Sequence, residues 1–288
     1  MTDNNTKKNK IIVSFTSWEK RIKNCAHTVD LMKEQTLKPD KIILNLSSDE
    51  FKNKEKDLPQ DLIEKQDDIF EINWVKENTK VYKKIIPTME KYPNDIIVSI
   101  DDDIDYPNNA IETLYACFEE YNEKYPVTSG AYQWENHIYT HYGAASMFKT
   151  EMFQPYFDDL YNNVVLKYGI DKIPFNDLIF TYSVLLNNNK YIFNEKLNLS
   201  KIRDKSKKDK ENAWSKRGTV AYKNVINNEH KILREYIKKK YNKTYDDLTK
   251  KTKKNDKTKT TIIKRGLKNR KPLHTGRRKQ ITFMNMSW

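Results

Sequence analysis

Glycine is scarce, with six in 288 residues. A backbone that wraps phosphates through a glycine-rich turn needs several in close register. Neither GxGxxG nor GxxxxGK[ST] occurs, so the dinucleotide fingerprint and the Walker A loop both lack support. Cysteine is scarcer still. Cys25 and Cys117 stand far apart in segments that read as helices, which favours buried free thiols in a reducing cytoplasm over a disulfide or a metal pair. No run approaches the ~18 apolar residues of a membrane span. The polar start MTDNNTKKNK leads into a strand with no apolar leader. These absences predict a cytoplasmic protein that does not cross a membrane.

What is present is a chain able to bury a core: 37% hydrophobic, 12% aromatic, with 18 tyrosines. Charge is unevenly spread. Residues 1–200 carry 24 Lys and Arg against 32 Asp and Glu, whereas residues 201–288 carry 29 against 8. The expected organisation is an acidic globular domain over 1–200 followed by a basic, partly helical extension over 201–288 that meets something anionic.

Hydrophobic periodicity fills in the first part. KIIVSFTS, DKIILNLS, FEINWV and DIIVSI read as strands, separated by helical patterns over 21–35 and 80–92 and followed by another over 108–125. Apolar strands joined by helical crossovers predict an α/β fold with a mostly parallel sheet covered on both faces. Ligands in such sheets bind beyond the carboxyl ends of the strands. That rule puts Thr16, Ser17, residues 45–47 and Asp101 to Asp103 along one rim. After Pro126 the pattern turns irregular or antiparallel. A helix over 177–186, a strand over 191–194 and a long helix over 220–241 follow. The Lys-rich stretch 250–280 has little periodicity and reads as extended or disordered when unbound.

The stretch VSIDDDIDYP sets four carboxylates within five residues directly behind an apolar strand. Like charges so close repel unless a cation sits among them. Mg²⁺ and Mn²⁺ take oxygen ligands, commonly one or two carboxylates plus substrate phosphates. Asp101 and Asp103, two apart at a strand end, would point the same way and offer such a pair. Asp102 would point away, to a ribose or a backbone amide, and Asp105 would cap the next helix.

KIIVSFTSWEKRI, LKPDKIILNLS, TKVYKKIIPTMEKYPNDIIVSIDDDIDYP and NDLIFTYSVLLNN together resemble bacterial glycosyltransferases of the GT-A fold. They look like the family-2-type enzymes that build surface polysaccharide and lipopolysaccharide. The resemblance spans about residues 10–195. It implies a GT-A, Rossmann-like fold and a nucleotide-diphospho-sugar donor, UDP by family habit. It also implies a DxD motif at Asp101, Asp102 and Asp103 holding Mn²⁺ or Mg²⁺, with a hexose as the expected sugar. Thr16 and Ser17 would line the nucleoside pocket, Asp101 and Asp102 would reach the donor, and Lys84, with Lys80 as a second candidate, would sit near its phosphates. Inverting members use a carboxylate base on a later helix, commonly in an ED or DD pair. Here the pair reads Asn176-Asp177, so the first acid is replaced. Asp177 is the expected base, an N-cap being the alternative.

HYGAASMF supplies small residues near which a sugar could approach the backbone. Trp134, His137 and His141 could touch sugar, although such rings are more often core. His230 and His274 are the later histidines available as a further metal ligand. For the basic extension, contact with an anionic inner leaflet, on the order of 1 kcal/mol per Lys or Arg, ranks ahead of nucleic acid or a solvated tail. It suits a glycan or lipid-linked saccharide acceptor and peripheral membrane attachment. Two other readings stand beside the transferase. One is a haloacid-dehalogenase-type phosphatase, whose Asp-x-Asp normally follows the first strand rather than the fourth. The other is a nucleic-acid-binding protein acting through its basic tail.

Overall fold

The computed structural model describes residues 9–135, 137–142, 145–194, 196–197, 220–250 and 279–280. Strands β1 (Ile11–Thr16), β2 (Lys41–Ser47), β3 (Phe70–Val75) and β4 (Ile96–Ser99) lie parallel in the order β3-β2-β1-β4. This is the order of the first half of a doubly wound nucleotide-binding sheet. β1, β2 and β4 are buried almost throughout, as continuous apolar runs covered on both faces must be. β3 alternates buried and half-exposed residues because it is the edge strand.

Beyond β4 the sheet changes direction. β5 (Val127–Thr128), the hairpin of β6 (Ala131–Trp134) and β7 (His137–Thr140), β8 (Ser146–Phe148) and β9 (Ile192–Phe193) complete the strands that concern the site. β8 runs antiparallel to both β4 and β5, and β9 pairs with β5, giving the seven-stranded order β3-β2-β1-β4-β8-β5-β9. The molecule is thus an α/β fold with a mostly parallel, Rossmann-like central sheet.

Helices α1 (Cys25–Lys33), α2 (Gln60–Ile63), α3 (Ile86–Lys91) and α4 (Ala110–Glu120) connect the parallel part. The helix expected over 80–92 is split. Residues 80–84 form a 3₁₀ turn, and α3 starts afresh where Pro87, lacking an N–H, fits a first turn and no interior position. The helix expected over 108–125 stops at Glu120, and Asn122 and Glu123 then take left-handed backbone conformations. After α5 (Tyr156–Leu160), α6 (Asn176–Leu186) is buried over all 11 residues. A helix apolar all round belongs inside a core, which explains how TYSVLL can follow Asn176-Asp177 without a polar face. Cys25 and Cys117 are free thiols, and burial raises the pKa of each, that of Cys117 to about 11.

The basic part also contributes packed helices: α7 (Val220–Tyr241) and α8 (Tyr245–Lys250). Ile226, Leu233 and Ile237 recur on one face of α7 and join the core. Asp159 on α5 accepts hydrogen bonds from Tyr236 at 3.0 Å and from Tyr241, and pairs with Lys240. The Tyr245 hydroxyl donates to the carbonyl of Ile138 on β7. Residues 251–278, and His274 among them, lie outside the described residues. No helix among the described residues is long and apolar enough to cross a membrane. Because the Leu233 side chain is fully buried, Leu233→Ala is expected to lower unfolding free energy by about 2–4 kcal/mol in urea titration. A loss below ~0.5 kcal/mol would mean that α7 does not pack as described.

Candidate functional site

A buried polar network sets the floor of the rim. Asn45 on β2 donates to the hydroxyls of Ser14 (3.1 Å) and Thr88 (3.0 Å) and accepts from Asn73 at 2.7 Å. Ser14 and Thr88 share a hydrogen bond of 2.6 Å, and the Ser14 hydroxyl also donates to the Lys84 carbonyl. Asn45 is therefore an internal strut and not a rim group facing ligand. The network fixes the 3₁₀ turn, and with it Lys84, against β1.

Lys84 reaches the acidic cluster and forms an ion pair with Asp101. The alternation expected for Asp101 and Asp103 does not hold, because β4 ends at Ser99 and residues 102–103 form a turn. Asp102 is the buried member, 8% exposed, while Asp101 and Asp103 are partly exposed. Ser17 donates to one Asp102 oxygen at 2.6 Å, and Arg21 approaches the other at 2.7 Å and Asp103 at 3.2 Å. Asp102 thus points inward to Ser17 and Arg21, where the sequence suggested a ribose or a backbone amide. Asp105 caps no helix. It meets His27 at 3.0 Å, and the N-cap position of α4 is Asn109, with no side-chain cap. Burial pushes the Asp102 carboxyl up to about 6, against the pull of Arg21 and Ser17. The pair is therefore charged at neutral pH, and Arg21, desolvated but facing three carboxylates, binds its proton more tightly than usual.

Asp177 lies in the first turn of α6, 6% exposed, and is not an N-cap. One of its oxygens accepts the Tyr142 backbone N–H at 3.1 Å, and the other faces Nδ1 of His141 at 3.1 Å. The His141 carbonyl accepts from Ser146 (2.8 Å) and Thr128 (3.0 Å), and its ring packs against Tyr132. Ser146 opens β8 opposite Ser99, the last residue of β4. Ser146 therefore ties His141, and through it Asp177 of α6, to the end of β4 from which the aspartate turn leaves. From the other side, Tyr82 donates to the Ile173 carbonyl at 3.0 Å and Lys80 pairs with Asp171, joining the Lys84 turn to the loop before α6.

Lys80 thus contacts Asp171 and not the acidic cluster. Thr16 donates to the Asn45 carbonyl at 2.7 Å, Ser17 to Asp102. Trp134 stacks on His230, which also meets Tyr139 edge to face, so these rings are core groups. Gly143 and Ala144 lie outside the described residues. Sequence reasoning missed Arg21, the His141–Asp177 pairing, and the buried Lys83, which pairs with Glu50 at 2.6 Å. Only Arg21 left a signal: the one arginine in residues 1–200, five residues beyond the end of β1. Beyond the ends of β1 and β2 opens a cavity of about 480 Å³ lined by Glu19, Ile22, Asp49, Glu50, Phe51, Lys52 and Asp57.

No group of three or more His, Cys, Asp or Glu among the described residues forms a metal cage. Asp101 and Asp103 are partly exposed oxygen groups, each facing a cation of the chain, Lys84 and Arg21; their chemistry fits a hard cation shared with a ligand's phosphates and does not fit a closed structural site. No family model matches the chain, and no curated protein does. Among solved structures, the 2-C-methyl-D-erythritol 4-phosphate cytidylyltransferase of Francisella tularensis is similar at 14% identity and a TM-score of 0.40. That likeness covers 65% of this chain and 90% of the other, and is too slight to carry an argument. Fold and site together define an α/β protein whose sheet rim presents a carboxylate turn neutralised by its own Arg21 and Lys84.

The Asp102 carboxyl carbon is expected to titrate by NMR with a midpoint near 6. The folded state then holds this proton more tightly than the unfolded chain, whose aspartates titrate near ~3.9. The group's contribution to stability is therefore greatest below pH ~4 and falls as pH rises to ~6. A midpoint below ~4.5, or the same stability-versus-pH curve in Asp102→Asn, would show that pairing outweighs burial.

Proposed function

We propose that this chain is a metal-dependent glycosyltransferase of the GT-A type, moving a sugar from a nucleotide-diphospho-sugar, with UDP as the expected nucleotide, to a glycan or lipid-linked saccharide. The observation that carries the reading is the convergence on one sheet rim of two partly exposed carboxylates, two cations and a positioned third carboxylate. Asp101 and Asp103 meet Lys84 and Arg21, while Asp177 is held by His141 and the Tyr142 N–H.

In this reading Asp101 and Asp103 hold Mn²⁺ or Mg²⁺, which when bound supplies positive charge at the departing diphosphate. Lys84 and Arg21 add fixed positive charge beside the phosphates, and Asp102 anchors the turn from inside. The nucleoside lies toward Thr16 and the cavity beyond the ends of β1 and β2, whose carboxylates can accept from its N–H donors. Asp177 takes the proton from the acceptor hydroxyl as its oxygen forms the new bond to the anomeric carbon. The bond from that carbon to the diphosphate oxygen breaks, and the nucleoside diphosphate leaves with the electron pair. One base and one displacement imply inversion at the anomeric carbon. The basic segment 201–288 serves peripheral contact with an anionic membrane on the cytoplasmic side, ahead of nucleic acid.

A panel of nucleotide sugars, with Mn²⁺, Mg²⁺ or chelator, tests the proposal. Transfer or slow donor hydrolysis should appear with metal and vanish with chelator. Asp103→Ala should lose at least ~100-fold in kcat/KM, and Asp177→Asn should lose ~10²–10⁴-fold in kcat with donor binding retained. Full activity of Asp103→Ala, or no donor binding under any metal condition, would refute it. Turnover of a simple phosphate ester instead would favour a phosphatase.

A further inference from the structure

A second cavity, of about 470 Å³, lies between the C-terminal end of α7, α8 and β7 and shares no lining residue with the aspartate rim. Its floor is formed by Tyr182 of α6, Ile237 of α7 and Tyr245 of α8, all buried. Arg234, Lys238, Lys239 and Lys243 stand around it, with Glu235 and Asp246 as the acids among them. Arg234 is held by Glu135 at 2.7 Å, and Asp246 faces His137 at 3.7 Å. Among the described residues Lys238, Lys239 and Lys243 have no ion-pair partner, so the cavity's three lysines outnumber its two acids, Glu235 and Asp246. Its volume is that of a small-molecule site.

A ligand that satisfies both parts is an amphiphile with one anionic head. A free phosphate would leave the floor uncovered, and a neutral lipid would leave the lysines unmatched. Nucleic acid fits less well, because base stacking needs open ring faces. Here the rings engage one another: Tyr182 with Tyr245 at 5.9 Å between centroids, and His137 with Tyr245 at 4.3 Å. Two carboxylates beside the lysines would also repel a continuous phosphate backbone. α8 ends at Lys250, and the sequence that follows it is rich in lysine.

We infer that this cavity binds an anionic phospholipid, its phosphate against Lys238, Lys239 and Lys243 and its acyl chain over Ile237, Tyr182 and Tyr245. The inference rests on the membrane-facing part of the proposed function only for its choice of phospholipid as the source of the phosphate. No step of sugar transfer enters it. This site would hold the molecule in one orientation at the surface, which a diffuse basic tail alone does not do.

Calorimetry on the full chain with monomeric dihexanoyl phosphatidylglycerol tests it, independently of any donor turnover. Saturable binding at one site is expected, at least tenfold tighter than for dihexanoyl phosphatidylcholine or glycerol 3-phosphate. The double variant Lys238→Gln and Lys243→Gln should weaken it at least fivefold with an unchanged melting temperature. Lys238→Arg with Lys243→Arg should preserve it, and so should Lys253→Gln with Lys254→Gln in the tail. Absence of saturable binding, or equal affinity for glycerol 3-phosphate, would overturn the inference. So would displacement of the lipid by an oligothymidylate that itself depends on Lys238 and Lys243, since the face would then serve nucleic acid.

Discussion

The contact between Arg21 and Asp102, closed on its other side by Ser17, is the constraint on which the rim depends. Three consecutive aspartates at the end of a buried strand would repel one another and resist burial. Arg21 makes the arrangement tenable because its planar fork reaches two carboxylates at once, and Lys84 takes the third. Removing a single partner from such a pair leaves an uncompensated charge, which costs far more than the pair contributes. The turn therefore has its shape because the first strand's loop and the 3₁₀ turn both deliver a cation to it.

That delivery is itself indirect. Lys84 stands where it does because Ser14, Asn45 and Thr88 tie its turn beneath the sheet. Asp177 is at the same rim because α6 is buried on every side and its first turn meets the segment that enters β8. Two elements with no sequence proximity, the Lys84 turn and the loop before α6, touch through Tyr82 and Ile173. The rim is thus a closed circuit of contacts running from β1 to α6. Displacing any one element would be felt at the carboxylates, since packed interiors transmit small shifts.

The basic segment has two physical characters. Between 220 and 250 it places one apolar face in the core and latches to Asp159 through Lys240, while Lys238 and Lys239 face outward at the last turn of α7, where positive charge also suits the helix dipole. Charge composition alone sees only the second of these. A count of lysines does not distinguish a loose tail from a docked amphipathic helix, because both keep their charges in water. What separates them is the spacing of Ile226, Leu233 and Ile237.

By itself the sequence determined the α/β class, the four parallel strands, the rim at their carboxyl ends and the helices over 177–186 and 220–241. These follow from periodicity and strand burial, which are local properties. It also marked Asp101 to Asp103, Lys84 and Asp177 as the charged residues to watch. Only the tertiary structure decided that β4 stops before the aspartates, so that Asp102 turns inward, and that Lys80 goes to Asp171. It likewise brought Arg21 to Asp102 and His141 to Asp177, residues separated by 81 and 36 positions in the chain. Periodicity carries no term for such pairs: an ion pair across the fold depends on where two separate backbones are held, and that is settled by the packing of everything between them.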